Sequence, residues 1–321
     1  MNLLNGLLNP GSRYPTPIPM SPFTGNVFYV DPKNGSDGQV GTLQAPFQTL
    51  GQAFNACVAG HNDLIVLISD GTTASSARLT AGFNWNKAAT HLIGVCSGSR
   101  NSNRARIAPL GGTTAFANFF TVSVDGCYFE GIEFYQGFAA GVAASICMTL
   151  SGGRNHFKDC QFAGMNDATS AGSTTSRNLL ITGTGENFFE DCVIGDDTTS
   201  RGVANSNLEL AGGTPRNRFR DCSFPMYATN AGVLGILAAA AASIDRETLF
   251  ERCSFLNAVG SAATALTGLA KVAAASGGLL AFKDCFGVGI GDWGADAGSK
   301  AQIYIDMAAP NGAGGIAINA T

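Results

Sequence analysis

Apolar residues in this chain recur as a short fixed phrase, spaced too regularly to be chance and too far apart for one amphipathic helix. Six residues long, the phrase occurs six times: Phe129 to Phe134, Phe157 to Phe162, Phe189 to Ile194, Phe219 to Phe224, Phe250 to Phe255 and Phe282 to Gly287. Its leading Phe returns after 28, 32, 30, 31 and 32 residues. A period of that size marks stacked repeats, each burying its apolar face against the next.

Read as an alignment, the phrase gives every column its own chemistry. Column one is Phe129, Phe157, Phe189, Phe219, Phe250 and Phe282, and column four is Ile132 followed by Cys160, Cys192, Cys222, Cys253 and Cys285. Column six is mainly Phe, so columns one, four and six should face inward. Column two reads Glu130, Lys158, Glu190, Arg220, Glu251, Lys283, alternating in sign at every step. Strands about 4.8 Å apart would set opposite charges side by side, worth roughly 0.2–1 kcal/mol per pair. Columns four and six have strand spacing, whereas one and four are three apart, so the chain must bend between them. The bend falls at Gly131, Asp159, Asp191, Asp221, Arg252 and Asp284, mostly residues tolerant of turn conformations.

After each phrase comes a polar stretch and then another apolar segment: Ile146 to Leu150, Leu179 to Thr182, Leu208 to Leu210, Leu234 to Leu237, Leu266 to Leu269 and Ile303 to Ile305. Strand, corner, strand, loop and strand at this period predict an all-β chain, a single-stranded right-handed parallel β-helix. Leucine-rich and helical solenoids are disfavoured, because their leucine signature or i, i+3, i+4 spacing is missing. The variable loops, including Ala163 to Arg177, Gly195 to Ser206 and Gly287 to Gln302, should stack along one side, where function concentrates.

Ahead of the repeats, Val27 to Val30 reads as a first strand, and Thr49 can cap a short helix from Leu50 to Val58 that plugs the open end of the coil. Residues 1–25 hold five of the eleven prolines and form an extended arm. Its Leu3, Leu4, Leu7, Leu8, Tyr14, Ile18, Met20 and Phe23 are apolar enough to dock on a partner. The expected organisation is an arm at 1–25, opening strand and capping helix at 26–60, β-helix at 61–310 and a tail at 311–321.

Composition narrows the function. Charged residues are 13% and the net charge is −4 without a basic cluster, which disfavours a nucleic-acid groove. Five of nine cysteines occupy one inward column, a ladder of reduced thiols rather than a disulfide framework. That odd count, and an opening without signal-peptide features, fit assembly in a reducing cytoplasm. His61, His91 and His156 lie too far apart for a zinc motif. No apolar run reaches membrane-spanning length.

The run Tyr29-Val30-Asp31, Asn34-Gly-Ser-Asp37, Gly41-Thr42, Ala45-Pro46-Phe47, Thr49-Leu50, Ala53 and Asn62-Asp63-Leu-Ile-Val66 resembles the opening segment of pectate-lyase-like right-handed β-helix proteins. It is also similar to a group of tailed-phage virion proteins that begin the same way. With the Phe-x-Asp-Cys-x-Phe phrases, the resemblance covers residues 27 to 310. It implies the β-helix fold but not one activity, since the superfamily holds lyases, hydrolases, tailspikes and inert virion components. The Asn-Thr-Asp, Gly-His-Gly and Arg-x-Pro-x-x-Arg motifs of the enzymatic relatives are missing.

If the chain cut polysaccharide, hydrolysis would need carboxylates roughly 5–9.5 Å apart. Asp167 with Asp196 and Asp197 in adjacent loops would be the first candidates. Asp292 and Asp296 around Trp293, as a sugar-stacking platform, would be the second. The favoured expectation is a non-enzymatic structural protein of a tailed-phage virion, a capsid decoration or head-fibre-like protein attached through its arm. That implies the major capsid protein or other virion proteins as partners, a homo-oligomer with a trimer favoured by resemblance, and no cofactor, metal, nucleic acid or membrane. The alternative is a tailspike that binds or depolymerises a host surface glycan.

Overall fold

The computed structural model describes residues 23–96, 105–111, 118–136, 146–258, 260–274 and 276–306. They wind into a parallel β-helix with three sheets. The first sheet has ten strands, running from Val27–Val30 and Asp63–Ile68 through the strands that carry the leading Phe residues to Ile303–Ile305. The second begins at Ala77–Leu79, takes in the column-six residues and ends at Phe286–Val288; the third has seven strands from Phe83–Trp85 to Ala270–Val272.

Register follows the columns. Phe129, Phe157, Phe189, Phe219, Phe250 and Phe282 are successive partners in the first sheet. Their rings stack at centroid separations of 4.7, 5.0, 4.5, 4.9 and 4.9 Å. Offset stacking adds about 0.5–1.5 kcal/mol per pair beyond area burial. Phe134 on Phe162 and Phe224 on Phe255 form a second pile across the interior. Beside them each thiol points at a carbonyl of the rung before, as Cys192 Sγ does to Phe157 O at 3.4 Å. Burial pushes the Cys192 and Cys222 thiols well above their ordinary range, and all nine cysteines are free. The ladder is therefore a set of small core side chains with no disulfide among them.

The alternating charges also lie in register from Glu130 to Lys283, and Arg220 Nη2 forms an ion pair with Glu190 Oε1. The bend column is left-handed throughout: Gly131 has φ 67°, Asp159 48°, Asp191 53°, Asp221 56°, Arg252 49° and Asp284 53°. That is why aspartate dominates there, since its short polar side chain tolerates this region better than branched ones do.

A second polar ladder is buried two residues before the leading Phe. Asn155 Oδ1 accepts from Cys127 N at 2.8 Å, Asn187 Oδ1 from Asn155 N at 3.0 Å, and Asn217 Oδ1 from Asn187 N at 3.2 Å. Each amide thus satisfies a backbone donor at the corner where the third sheet turns back into the first. Asp63 holds the matching place near the start, accepting from Asn26 N at 2.6 Å.

Both ends of the coil are closed by aromatics. Thr49 caps the helix Leu50–Ala56, accepting from Gln52 N at 3.2 Å, and Phe54 packs 4.6 Å from Trp85. Lys87 Nζ donates to Phe54 O, Asn55 O and Cys57 O at 2.7, 3.0 and 2.6 Å, so one ammonium closes the helix C-terminus. At the far end Trp293 lies 5.0 Å from Phe282 and 6.2 Å from Phe255.

The structure departs from the sequence reading at three places. Ile303–Ile305 pairs with Leu279–Lys283 and so opens another turn of the first sheet instead of completing the third. The last strand of the third sheet is Ala270–Val272; Leu266 makes only an isolated bridge to Ile290. Phe23, expected on the docking arm, is 8% exposed and packs on its own shaft, 5.0 Å from His91 and 6.0 Å from Tyr128. The reason is an apolar outer patch on the first sheet, Leu64, Val66 and Ile93, which Phe23 covers. Leu3, Leu4, Leu7, Leu8, Tyr14, Ile18 and Met20, with the tail 311–321, lie outside the described residues.

Candidate functional site

The loops at 163–176 and 195–205 lead from the second sheet into the third and carry Asp167, Asp196 and Asp197. Loop 163–176 carries the short helix Ala168–Ala171, and the next loop contributes the strand Asp196–Arg201, which pairs with Ser223–Ala228. Two asparagines of the third sheet tie these loops down. Asn178 Oδ1 accepts from Gly164 N at 2.7 Å, while Asn207 Nδ2 donates to Ile194 O at 3.1 Å and Pro225 O at 3.0 Å. Close approach requires glycine at the loop entrance: a Cβ on Gly195 would lie 2.3 Å from Pro225 O and 2.8 Å from Asn207 Nδ2.

Into this layer the sheet places Arg177, whose Nε donates to Glu209 Oε2 at 2.6 Å and whose Nη1 donates to Thr174 O and Ser176 O. Arg201 lies deeper, 1% exposed, held by Asn205 and Asn207. Neither arginine was singled out from sequence, because their burial is created by loops whose course no periodicity reveals.

The carboxylates singled out from sequence hold the chain's own turns. Asp167 is the N-cap of helix Ala168–Ala171, accepting from Thr169 N at 2.8 Å. Asp196 accepts from Thr198 N at 2.7 Å and from the Thr198 hydroxyl, while Asp197 is exposed. The structure places the helix capped by Asp167 against the strand that starts at Asp196, so these residues do share one side of the shaft. At the C-terminal end Asp292 pairs with Lys300, and Asp296 caps helix Ala297–Lys300, accepting from Ser299 N and Ser299 Oγ, both at 2.7 Å. Lys300 holds Asp292 below the usual carboxylate range, and the Ser299 donors do the same for Asp296. A hydrolytic general acid needs the opposite shift, upward toward neutrality. The Trp293 ring, meanwhile, packs on Phe282 and Phe255 and is a plug for the core, not an open sugar platform.

Burial raises the carboxyl of Glu130, which accepts from Tyr128 Oη at 3.0 Å on the outer face of the first sheet, away from both loop clusters. There Tyr128, His156 and Phe188 form an external aromatic column, with the Arg220 guanidinium 4.8 Å over the Phe188 ring. Those rings cover one another and brace the charge column. Among the described residues, no group of three or more His, Cys, Asp or Glu side chains is placed to hold a metal ion, and no helix is long and apolar enough to cross a membrane.

No family model and no curated protein matches the sequence. Solved structures of similar fold include the pectin methylesterase PemA from Erwinia chrysanthemi, with TM-score 0.54, 17% identity and coverage of 84% of this chain and 80% of that one. The Aspergillus niger pectin methylesterase matches with TM-score 0.54, 13% identity and 87% and 89% coverage. Pectate lyase Pel9A matches with TM-score 0.47 at 16% identity, and the aligned part spans 63% of its length. The pectin methylesterase likenesses show the fold alone, a parallel β-helix.

Proposed function

We propose that this chain is a structural protein of a tailed-bacteriophage virion, a capsid decoration or head-fibre-like shaft held to the capsid lattice by its N-terminal arm. It binds and does not react. The observation that carries the second half of this reading is the employment of the loop carboxylates: Asp167 and Asp296 cap helices, Asp196 caps its own turn, and Asp292 is paired with Lys300. The resemblance of the opening segment to tailed-phage virion proteins supports the first half. In this reading the partners are the major capsid protein and further copies of the chain, and the place of action is the particle.

The test is deletion of residues 1–22, which keeps Phe23 on the shaft. Purified particles grown with the shortened chain should lack it by mass spectrometry, while the isolated shaft keeps its native circular dichroism. Full incorporation of the shortened chain refutes the role of the arm. Release of reducing ends from host surface polysaccharide, abolished by Asp196→Asn or Asp292→Asn, would establish the depolymerising tailspike instead.

A further inference from the structure

The three sheets finish unevenly at the C-terminal end of the coil. The first runs on to Ile303–Ile305, and Ala270 in the last strand of the third is bridged to Gly294. The second stops at Phe286–Val288, which pairs with Ser254–Leu256 on one side and with no described residue on the other. Phe286 N donates to Cys253 O at 3.2 Å, and Val288 O accepts from Asn257 N at 3.0 Å. Backbone groups alternate in direction along a strand, so the N–H and C=O of Gly287 face the open edge. Such an edge is a template for another strand.

The chain is aimed at it. At each phrase a left-handed residue turns the chain from the first sheet into the second, Asp284 being the last of the six. Asp306 repeats the turn beside it: its φ is 43°, its N–H donates to Phe282 O at 2.8 Å, and its carboxylate accepts from Asp284 N at 2.6 Å. Residues 307–321 follow, with a reach of about 50 Å if extended. Their first members are ill suited to the edge. Counted from the corner, Pro310 falls level with Val288, where a strand must donate to Gly287 O, and proline has no N–H. Asn311-Gly312 is a turn signal, and the apolar alternation that comes after it is Ile316-Ala317-Ile318. Large, small, large, this triplet matches Phe286-Gly287-Val288. A small residue suits the middle place, because a Cβ on Gly287 would already lie 2.3 Å from Ile290 Cδ1.

We propose that Ile316-Ala317-Ile318 of the same chain form a parallel strand on the open edge of the second sheet, Ile316 beside Phe286 and Ile318 beside Val288. Gly287 N donates to Ile316 O, and Ile318 N donates to Gly287 O. The tail thereby closes the last unpaired strand edge of that sheet and denies it to strands of other molecules.

Hydrogen exchange of the full chain, followed amide by amide by NMR, reads this directly. Gly287 N–H should be protected, and deletion of residues 311–321 should speed its exchange about 100-fold, while Phe286 N–H, bonded to Cys253 O, keeps its rate. Ile318→Pro, which leaves the chain full length and removes the donor to Gly287 O, should speed it as well. Free exchange of Gly287 in the full chain, or protection that survives the deletion, overturns the proposal. Loss of Phe286 protection together with that of Gly287 marks fraying of the whole last turn and overturns it too. So does protection that fades on dilution, which assigns the strand to a second copy.

Discussion

Replacing Phe189 by Ala tests the stacked interior at its centre. The ring is fully buried and lies between Phe157 at 5.0 Å and Phe219 at 4.5 Å, with Phe162 edge-on at 6.0 Å. Truncating a buried Phe costs about 3–5 kcal/mol in transfer and cavity terms. Two stacked contacts are lost with it, at about 0.5–1.5 kcal/mol each, part of which the measured truncation costs already contain. Taking about 4–5 kcal/mol and about 2 °C per kcal/mol for a chain of this size, the Tm should fall by about 8–10 °C. Phe286→Ala is the control: Phe286 is 57% exposed on the last strand of the second sheet, and its loss should move stability by less than about 0.5 kcal/mol. Calorimetry gives the two shifts, and hydrogen exchange gives their location. Because each rung contacts only its neighbours, protection should fall on the strands of Phe157 and Phe219 and hold in helix Leu50–Ala56. A Phe189→Ala shift no larger than the control, or a uniform loss of protection, refutes the stacked core as the source of stability.

Lys87→Met keeps the apolar stem but removes the donor to three carbonyls at the end of helix Leu50–Ala56; a loss of about 1–3 kcal/mol should appear as faster exchange in that helix. Asp63 is desolvated, which by itself would raise its pKa, but donation from Val58 N, His61 and Asn26 N outweighs burial and holds the carboxyl below its ordinary value. A depressed carboxyl contributes stability above its unfolded pKa of about 3.9, and loses that contribution as pH falls through the folded value. Asp63→Asn should therefore lower Tm at pH 7 and flatten the acid limb of a Tm–pH profile; an unchanged acid limb would rule out Asp63 as a source of it. Asp191→Val should cost about 1–2 kcal/mol in a denaturant titration, because φ is 53° there, while Asp191→Gly should be tolerated; equal losses would count against corner strain.

The Phe, thiol and charge columns were legible because each is repeated at every turn and each has a polarity that strand alternation can place. The asparagines at 155, 187 and 217 hold one place on three successive turns, two residues before the Phe, with Cys127, Thr248 and Leu280 there on the others, yet a polar residue beside a strand reads as exposed until the backbone donor it satisfies is seen. Trp293 between Asp292 and Asp296 reads as a surface aromatic. In space those acids face a lysine and a helix end, and the ring turns inward to close the core. Loop-covered groups such as Arg177 and Arg201 follow no period, so their burial, and the pairing of Arg177 with Glu209, emerge only from the fold.

The sign alternation from Glu130 to Lys283 also constrains how this shaft can change in length. Excising a single turn, or duplicating one, would bring two like charges into direct opposition at the new junction, with destabilisation of the same order as the attraction it replaces. Paired insertions or losses leave the pattern intact. Growth by recombination should accordingly proceed in doublets, each lengthening the molecule by about 9.6 Å, twice the inter-strand spacing.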